Sequence, residues 1–178
     1  MGTIKTTNIE TITGSGTLTL GQSGETISIP SGVTFSATAG TMSGQNYPAF
    51  KSFLSSNQVI TANTLTVLQM NDEVFDEGGY YDATTYRFTP PAGKYSFMGN
   101  VGNGEFEIYL QASLLKNGSP IAETIVQFNS GTWAGRLPVH VIEEANGTDY
   151  FELAAQSGDT TILSNNYRTF FSAFRIGD

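Results

Sequence analysis

Residues 79–97 carry the sequence GYYDATTYRFTPPAGKYSF, and this stretch decides the fold. Pro90 and Pro91 have no amide hydrogen to donate to a sheet, so they are expected between two strands. Gly93 then permits a turn into a new strand. Beyond it, Tyr95 and Phe97 alternate with polar residues, which places both aromatic rings on one face. Aromatic residues at this spacing are far more often core residues than ligand contacts, so the stretch predicts strands packed around a β-sheet core.

Alternating apolar residues predict further strands on both sides of this stretch, and no segment keeps a helical period. The predicted strands span residues 62–70, 94–101, 105–115, 121–128, 137–143, 150–155 and 169–176. The last one places Phe170, Phe174 and Ile176 on one face. Two Asn-Gly pairs, at 117–118 and 146–147, predict hairpin turns, and the glycine-rich residues 99–104 predict a hairpin loop. Turns this frequent predict an all-β protein, an antiparallel two-sheet jelly-roll sandwich.

The N-terminal region is repetitive. Ser-Gly pairs recur every eight residues, at 15–16, 23–24 and 31–32, and short alternating segments lie between them. Their apolar residues form a stripe too thin to make a closed core within one chain, so they need neighbours, which three intertwined copies would supply. The stripe consists of Leu18, Leu20, Ile27, Ile29 and Phe35. We therefore expect a β-repeat shaft or anchor at 1–37, a linker at 38–47 and a globular head at 48–178.

Composition excludes several classes of function. The net charge of −8 disfavours nucleic-acid phosphates and anionic membrane surfaces as partners. No run of about 18 apolar residues is present, so no membrane-spanning segment is expected. The chain has no cysteine, which leaves packing and oligomerisation as the sources of stability.

The central stretch resembles the jelly-roll heads of the complement and tumour-necrosis-factor-like proteins. It has an aromatic before Asp82, then Phe88-Thr89-Pro90-Pro91, then Gly93-Lys94-Tyr95-Ser96-Phe97. Residues 48–50, 115–118 and 171–174 resemble the opening strand, central hairpin and closing strand of that family. Ala173 stands where the family usually has glycine, and Gly147-Thr148-Asp149 replaces its usual Gly-Asp.

This resemblance, which covers about residues 48–177, implies a compact homotrimer whose inner sheets meet at a three-fold axis. A short β-repeat shaft with a small head further resembles bacteriophage fibres, spikes and capsid-decoration proteins. The resemblance thus implies a virion structural protein that is assembled in the host cytoplasm and contacts other virion proteins. Tyr95, Phe97 and Phe174 are expected in trimer or core packing.

The residues themselves argue against an enzyme. His140 is the sole histidine and lies in an alternating strand, where a half-exposed structural role is expected. No cofactor is expected. Acidic residues at 72, 73, 76, 77 and 82, and the Glu143-Glu144 pair, are expected to be solvated, the first group in a loop. By analogy with related heads, Asp72, Asp76 and Glu77 are weak candidates for a calcium site.

A second role remains open beside the structural one. Exposed loops of such a head can bind a host-surface glycan or receptor, because aromatic rings stack on sugars and amides bond to hydroxyl groups. The candidate contacts are Trp133, Tyr86, Asn166 and Tyr167.

Overall fold

The computed structural model describes residues 31–33, 48–103, 109–127, 135–158 and 161–177. Contacts divide the chain into two units, Met1–Met42 and Ser43–Asp178, and almost all of the described residues belong to the second. Its described residues form strands and turns without a helix. Within these ranges there is accordingly no apolar helix long enough to cross a membrane.

The described strands follow one another in chain order. They are β1 (Ala49–Phe53), β2 (Gln58–Val59), β3 (Thr66–Val67), β4 (Asp72–Glu77), β5 (Tyr81–Asp82), β6 (Arg87–Phe88), β7 (Gly93–Asn103), β8 (Tyr109–Lys116), β9 (Ser119–Gln127), β10 (Gly135–Ala145), β11 (Phe151–Ser157), β12 (Thr161–Ile162) and β13 (Phe170–Gly177).

These strands form two sheets. In the first, β10, β7, β13, β1 and β4 lie side by side, and β12 with β2 continues the sheet from the end of β7. In the second, the order is β5, β6, β11, β8 and β9, with β3 also paired to β11. Every pairing is antiparallel. The predicted antiparallel two-sheet sandwich is confirmed.

Stacked aromatic rings join the two sheets. Phe97 of β7 stacks on Phe151 of β11 with ring centroids 4.2 Å apart. Phe50 of β1 stacks on Phe88 of β6 at 4.3 Å. Tyr95 is fully buried beside them. Each stack takes one ring from each sheet, so the stacks help to hold the sandwich together, and the central stretch supplies one ring of each, Phe88 and Phe97.

Residues 99–103 are not a hairpin loop, as the glycines predicted, but the second half of the long strand β7. Gly99 points toward the second sheet, where a Cβ atom would lie 2.4 Å from Cδ1 of Leu153. The glycine therefore serves close packing between the sheets rather than a turn. Gly104 lies outside the described residues.

Two further predictions are wrong. Asp72–Glu77 form the edge strand β4 rather than a loop; its two apolar residues, Val74 and Phe75, are adjacent, so no period-two alternation shows in the sequence. Within 62–70, only Thr66 and Val67 form a strand. In β13 Phe171 and Ala173 are buried, and Phe174 is 54% exposed on the opposite face, as the prediction of trimer or core packing allows.

Most of the N-terminal repeat lies outside the described residues, including Leu18, Leu20, Ile27, Ile29 and Phe35. Of its predicted turns, Ser31 and Gly32 are described. Gly32 has a φ of +84°, which matches the predicted turn.

Candidate functional site

The outward face of the first sheet carries several large apolar side chains that are left exposed on its strands. The antiparallel register places Phe174 of β13 opposite Ser96 of β7, and Ser96 opposite Ile142 of β10. Met98 of β7 and Phe75 of β4 lie one step along the same face. These four side chains, Phe75, Met98, Ile142 and Phe174, are between 44% and 58% exposed and are called the apolar face below. Exposed large apolar residues that share one face of a sheet can mark an interaction surface.

A serine and the histidine meet within this face. Ser96 Oγ lies 2.9 Å from Nε2 of His140, a contact that sequence reasoning missed because 44 residues separate the two. A Ser-His pair needs an acceptor at the other ring nitrogen to act as a hydrolytic triad. Among the described residues, none hydrogen-bonds to Nδ1, and the pair lies on an open sheet surface. The arrangement is that of a cross-strand hydrogen bond.

The acidic residues of β4 do not form a cation cage. Both carboxylate oxygens of Asp76 accept backbone hydrogen bonds, from Tyr80 at 3.3 Å and Tyr81 at 3.0 Å. Partial burial, together with the carboxylates of Asp76 and Asp72, raises the pKa of Glu73. In the described part of the chain, no three His, Cys, Asp or Glu side chains group so that they could hold a metal ion. Asp72, Asp76 and Glu77 thus lie on one strand without converging.

Asp82 organises a turn rather than a reaction. Its carboxylate accepts hydrogen bonds from the hydroxyl and amide of Thr84 and from those of Thr85. These bonds lower the pKa of Asp82 to about 2, so it stays ionised at neutral pH. The same turn contains the glycan candidate Tyr86, half-buried with a φ of +63°. Tyr86 therefore belongs to the β5–β6 hairpin of the second sheet, and Trp133 lies outside the described residues.

The other two glycan candidates lie on one turn before β13. The carbonyl of Asn165 accepts the amides of Arg168 and Thr169, and its side chain accepts the amide of Tyr167. The turn thereby presents Asn166 and Tyr167, both exposed, with 52% of Tyr167 accessible. We call residues 163–169 the recognition turn.

Two depressions adjoin the recognition turn. An open depression of about 390 Å³ is lined by Phe53, Leu54, Ser55, Ser164, Asn165 and Asn166. A smaller cavity of about 80 Å³ is lined by Asn103, Gly135, Arg136, Leu163 and Arg168. Consecutive residues of the turn, Leu163 and Ser164, contribute to the small cavity and to the large depression respectively.

Two arginines flank Tyr167 at the small cavity. The guanidinium carbon of Arg136 lies 5.1 Å from the Tyr167 ring centroid, and that of Arg168 lies 5.9 Å from it. Sequence reasoning did not select either arginine, since 32 positions separate them and neither lies in a motif. Arg136 pairs with Gly102 across β10 and β7, and Arg168 packs against Gly102, so the two arginines come close together.

Comparison with known proteins is informative about the fold. No protein-family model matches the sequence, and no curated protein matches it. Among solved structures, murine APRIL is 11% identical with a TM-score of 0.60, over 73% of this chain and 99% of that one. Eiger TNF from S. frugiperda is 9% identical with a TM-score of 0.59, over 74% of this chain and 92% of that one.

The globular domain of zebrafish complement 1qA protein is also similar. It is 18% identical with a TM-score of 0.53, over 73% of this chain and 97% of that one. The structural neighbours are thus tumour-necrosis-factor-family proteins and complement heads, as the central stretch led us to expect. The chain has their jelly-roll fold.

Proposed function

We propose that the chain is a non-enzymatic structural head that assembles as a homotrimer through the apolar face. The observation that carries this proposal is the placement of Phe75, Met98, Ile142 and Phe174 on one outward face of one sheet. Fully burying a side chain of this type contributes about 1.5–3 kcal/mol. Burying the exposed half of these four side chains would therefore contribute roughly 3–6 kcal/mol per copy, which favours a stable oligomer.

Two features favour three copies. The sequence resembles a family in which one sheet of each of three heads, the inner sheet, meets the others at an axis. In this chain the first sheet carries the apolar face, so we propose that the first sheet takes the place of the inner sheet. The eight-residue repeat of the N-terminal region also needs neighbouring copies to cover its apolar stripe. The outward position of Phe174 fits trimer packing rather than core packing.

The finer proposal is a bacteriophage virion protein: a fibre, spike or capsid-decoration protein. In this proposal residues 1–37 attach to other virion proteins and the jelly-roll head projects outward. Its support is the eight-residue sequence repeat, predicted to form β-structure, that precedes a small head in the chain, a combination that resembles such fibres. Labelling assembled phage particles with an antibody against the chain and imaging them tests this location. Absence of label from capsid and tail would contradict it.

Solution mass tests the assembly. The full chain, at 19.1 kDa, is expected to sediment at three times that mass at micromolar concentration. Phe174→Glu and Ile142→Glu each place a charge in the apolar face and are expected to release monomers. Ile125→Glu is the matched control, since Ile125 is 47% exposed on β9 of the second sheet. A wild-type monomer would contradict the proposal. If both variants of the apolar face remain trimers, the contact between copies does not use that face.

Host recognition is the second candidate function. The observation that favours it is the recognition turn, which exposes Asn166 and Tyr167 between two depressions. A glycan array probed with the full chain tests it. Binding lost in Tyr167→Ala, with assembly retained, would support recognition, whereas no bound glycan would favour a purely structural role.

A further inference from the structure

We propose that the small cavity beside the recognition turn binds the carboxylate of an acidic sugar, through Arg136 and Arg168. This inference rests on the recognition role above and names its ligand class. Two cations face the same cavity in a chain whose net charge is −8. Neither guanidinium lies within ion-pair distance of any carboxylate among the described residues, whose ion pairs use Arg87 and Lys116.

A second Arg–Tyr pair in the same head shows the contrast. Arg87 lies over the Tyr150 ring at 3.9 Å, and its Nε donates to Glu152 at 2.9 Å. The anion that pairs with Arg87 is therefore a side chain of the chain itself, Glu152 on strand β11. Tyr167 instead has two arginines beside its ring, and neither forms an ion pair with a described carboxylate. Two like charges beside one ring repel each other, and a bound anion would relieve that repulsion.

The cavity is held in place by the backbone around it. A Cβ atom on Gly102 would lie 3.1 Å from Cβ of Arg168, so glycine lets the turn pack directly on strand β7. The Gly102 amide donates to Oγ1 of Thr169, and the Gly102 carbonyl accepts the amide of Leu163. Nδ2 of Asn100 donates to the carbonyl of Arg168. Because these bonds fix the turn before any ligand arrives, binding needs little ordering.

The size and chemistry of the two depressions define the ligand. About 80 Å³ holds an anionic group but not a sugar ring, and the planar guanidinium fork matches a carboxylate. The open depression of about 390 Å³ has room for a ring, and its serine and asparagine side chains suit hydroxyl groups. Tyr167 lies on the turn between these linings and is 52% exposed, so the part of its ring that the two guanidiniums leave uncovered is available to contact a sugar.

The net negative charge of the chain sharpens this assignment. It opposes nonspecific binding of polyanions, so a local pair of arginines attracts an anion only within about a Debye length, roughly 8 Å at physiological salt. Recognition then depends on the carboxylate and the ring together, rather than on charge alone.

The experiment titrates the full chain with glucuronate, with glucose as the neutral control of the same ring size and with sulfate as the free anion. Chemical-shift changes measured by NMR give the affinities. Glucuronate is expected to bind at least about tenfold more tightly than either glucose or sulfate. Equal affinity for glucose would overturn the role of the arginines, and equal affinity for sulfate would overturn the sugar assignment.

Variants locate the site. Arg136→Gln and Arg168→Gln are each expected to weaken glucuronate binding at least about tenfold. The control is the double variant Arg87→Gln/Glu152→Gln, which removes the other tyrosine-stacked arginine together with its buried partner and is expected to bind normally. Unchanged binding in both single variants would overturn the proposal.

Melting scans and solution mass are recorded for every variant. If either arginine variant dissociates the oligomer while folded, the arginines bind a carboxylate of a second copy, which would overturn the sugar assignment. Loss of glucuronate binding with the mass unchanged supports it. A monomeric wild type that still binds glucuronate would contradict the assembly proposal and leave this one standing.

Discussion

Asn117 donates a hydrogen bond from Nδ2 to Oδ1 of Asp149 at 2.7 Å, and this bond ties together the two Asn-Gly turns of the head. Oδ2 of Asp149 accepts the amide of Asn146 at 3.0 Å, at the start of the second turn. The amide of Tyr150 in turn donates to Oδ1 of Asn117. One buried carboxylate thus joins the β8–β9 hairpin to the segment between β10 and β11.

Asp149→Asn is expected to lower the free energy of unfolding at pH 7 by about 1–2 kcal/mol. Asp149 accepts hydrogen bonds at both carboxylate oxygens, and the side-chain NH₂ of an asparagine would place a donor against one of these donors. The hydrogen bond from Asn117, with the Asn146 amide and Lys116, lowers the pKa of Asp149 below its usual 3.8. A lowered pKa stabilises the fold above the unfolded value, and this contribution is lost as pH falls through the folded value.

The difference in stability between wild type and Asp149→Asn should therefore be constant above about pH 5 and shrink below pH 4. Urea denaturation at a series of pH values measures it. Glu144→Gln, which removes an exposed carboxylate nearby, is the control and should change stability little. A difference that stays constant down to pH 2.5 would show that the pKa of Asp149 in the fold is not lowered from its unfolded value.

Gly99→Ala is expected to destabilise the head by about 1–3 kcal/mol, because the new methyl group meets Leu153 across the sandwich. Leu153→Ala alone should cost about 2–5 kcal/mol through the cavity it leaves. The double variant should be more stable than the sum of the two effects predicts, by about 1 kcal/mol or more, since the second change makes room for the first. Chemical denaturation of the four proteins completes the cycle, and strict additivity would contradict this close approach.

Ser96 should not react with a fluorophosphonate probe. Its hydroxyl is hydrogen-bonded to His140, but the imidazole has no orienting carboxylate among the described residues, and such a serine is not activated as a nucleophile. Intact mass after incubation with the probe measures the reaction, with a serine hydrolase as the positive control. Covalent labelling that disappears in Ser96→Ala would contradict the non-enzymatic proposal.

Calcium should leave the head unchanged. Asp76 is committed to the amides of Tyr80 and Tyr81, and the carboxylates of β4 do not converge on one point. A cation bound at a hundred times its dissociation constant would stabilise the fold by about 2.7 kcal/mol. We expect the melting temperature in millimolar calcium to equal that in EDTA. If calcium raises the melting temperature by several degrees and Asp76→Asn abolishes this rise, then the strand does bind calcium and this prediction is wrong.

Several long strands, the two Asn-Gly turns and the core face of β7 followed from local patterns. Alternation at Tyr95 and Phe97 predicted their common face, and the Asn-Gly pairs predicted turns that the structure contains, with positive φ at Asn117, Gly118 and Gly147. These predictions hold because neighbouring residues alone set the pleat and the turn. The prediction at Gly99 was wrong, since the reason for that glycine is Leu153, more than fifty residues further along the chain.

The amino-acid sequence by itself determined an antiparallel β-sandwich with an aromatic core, because burial period and turn chemistry are local properties. The tertiary structure alone decided what the surfaces offer. Strand register turned Phe174 outward into the apolar face, and the packing of the recognition turn on Gly102 brought Arg168 to Arg136. Such sites join residues from distant strands, and their geometry depends on register and sheet packing, which no short stretch of sequence specifies.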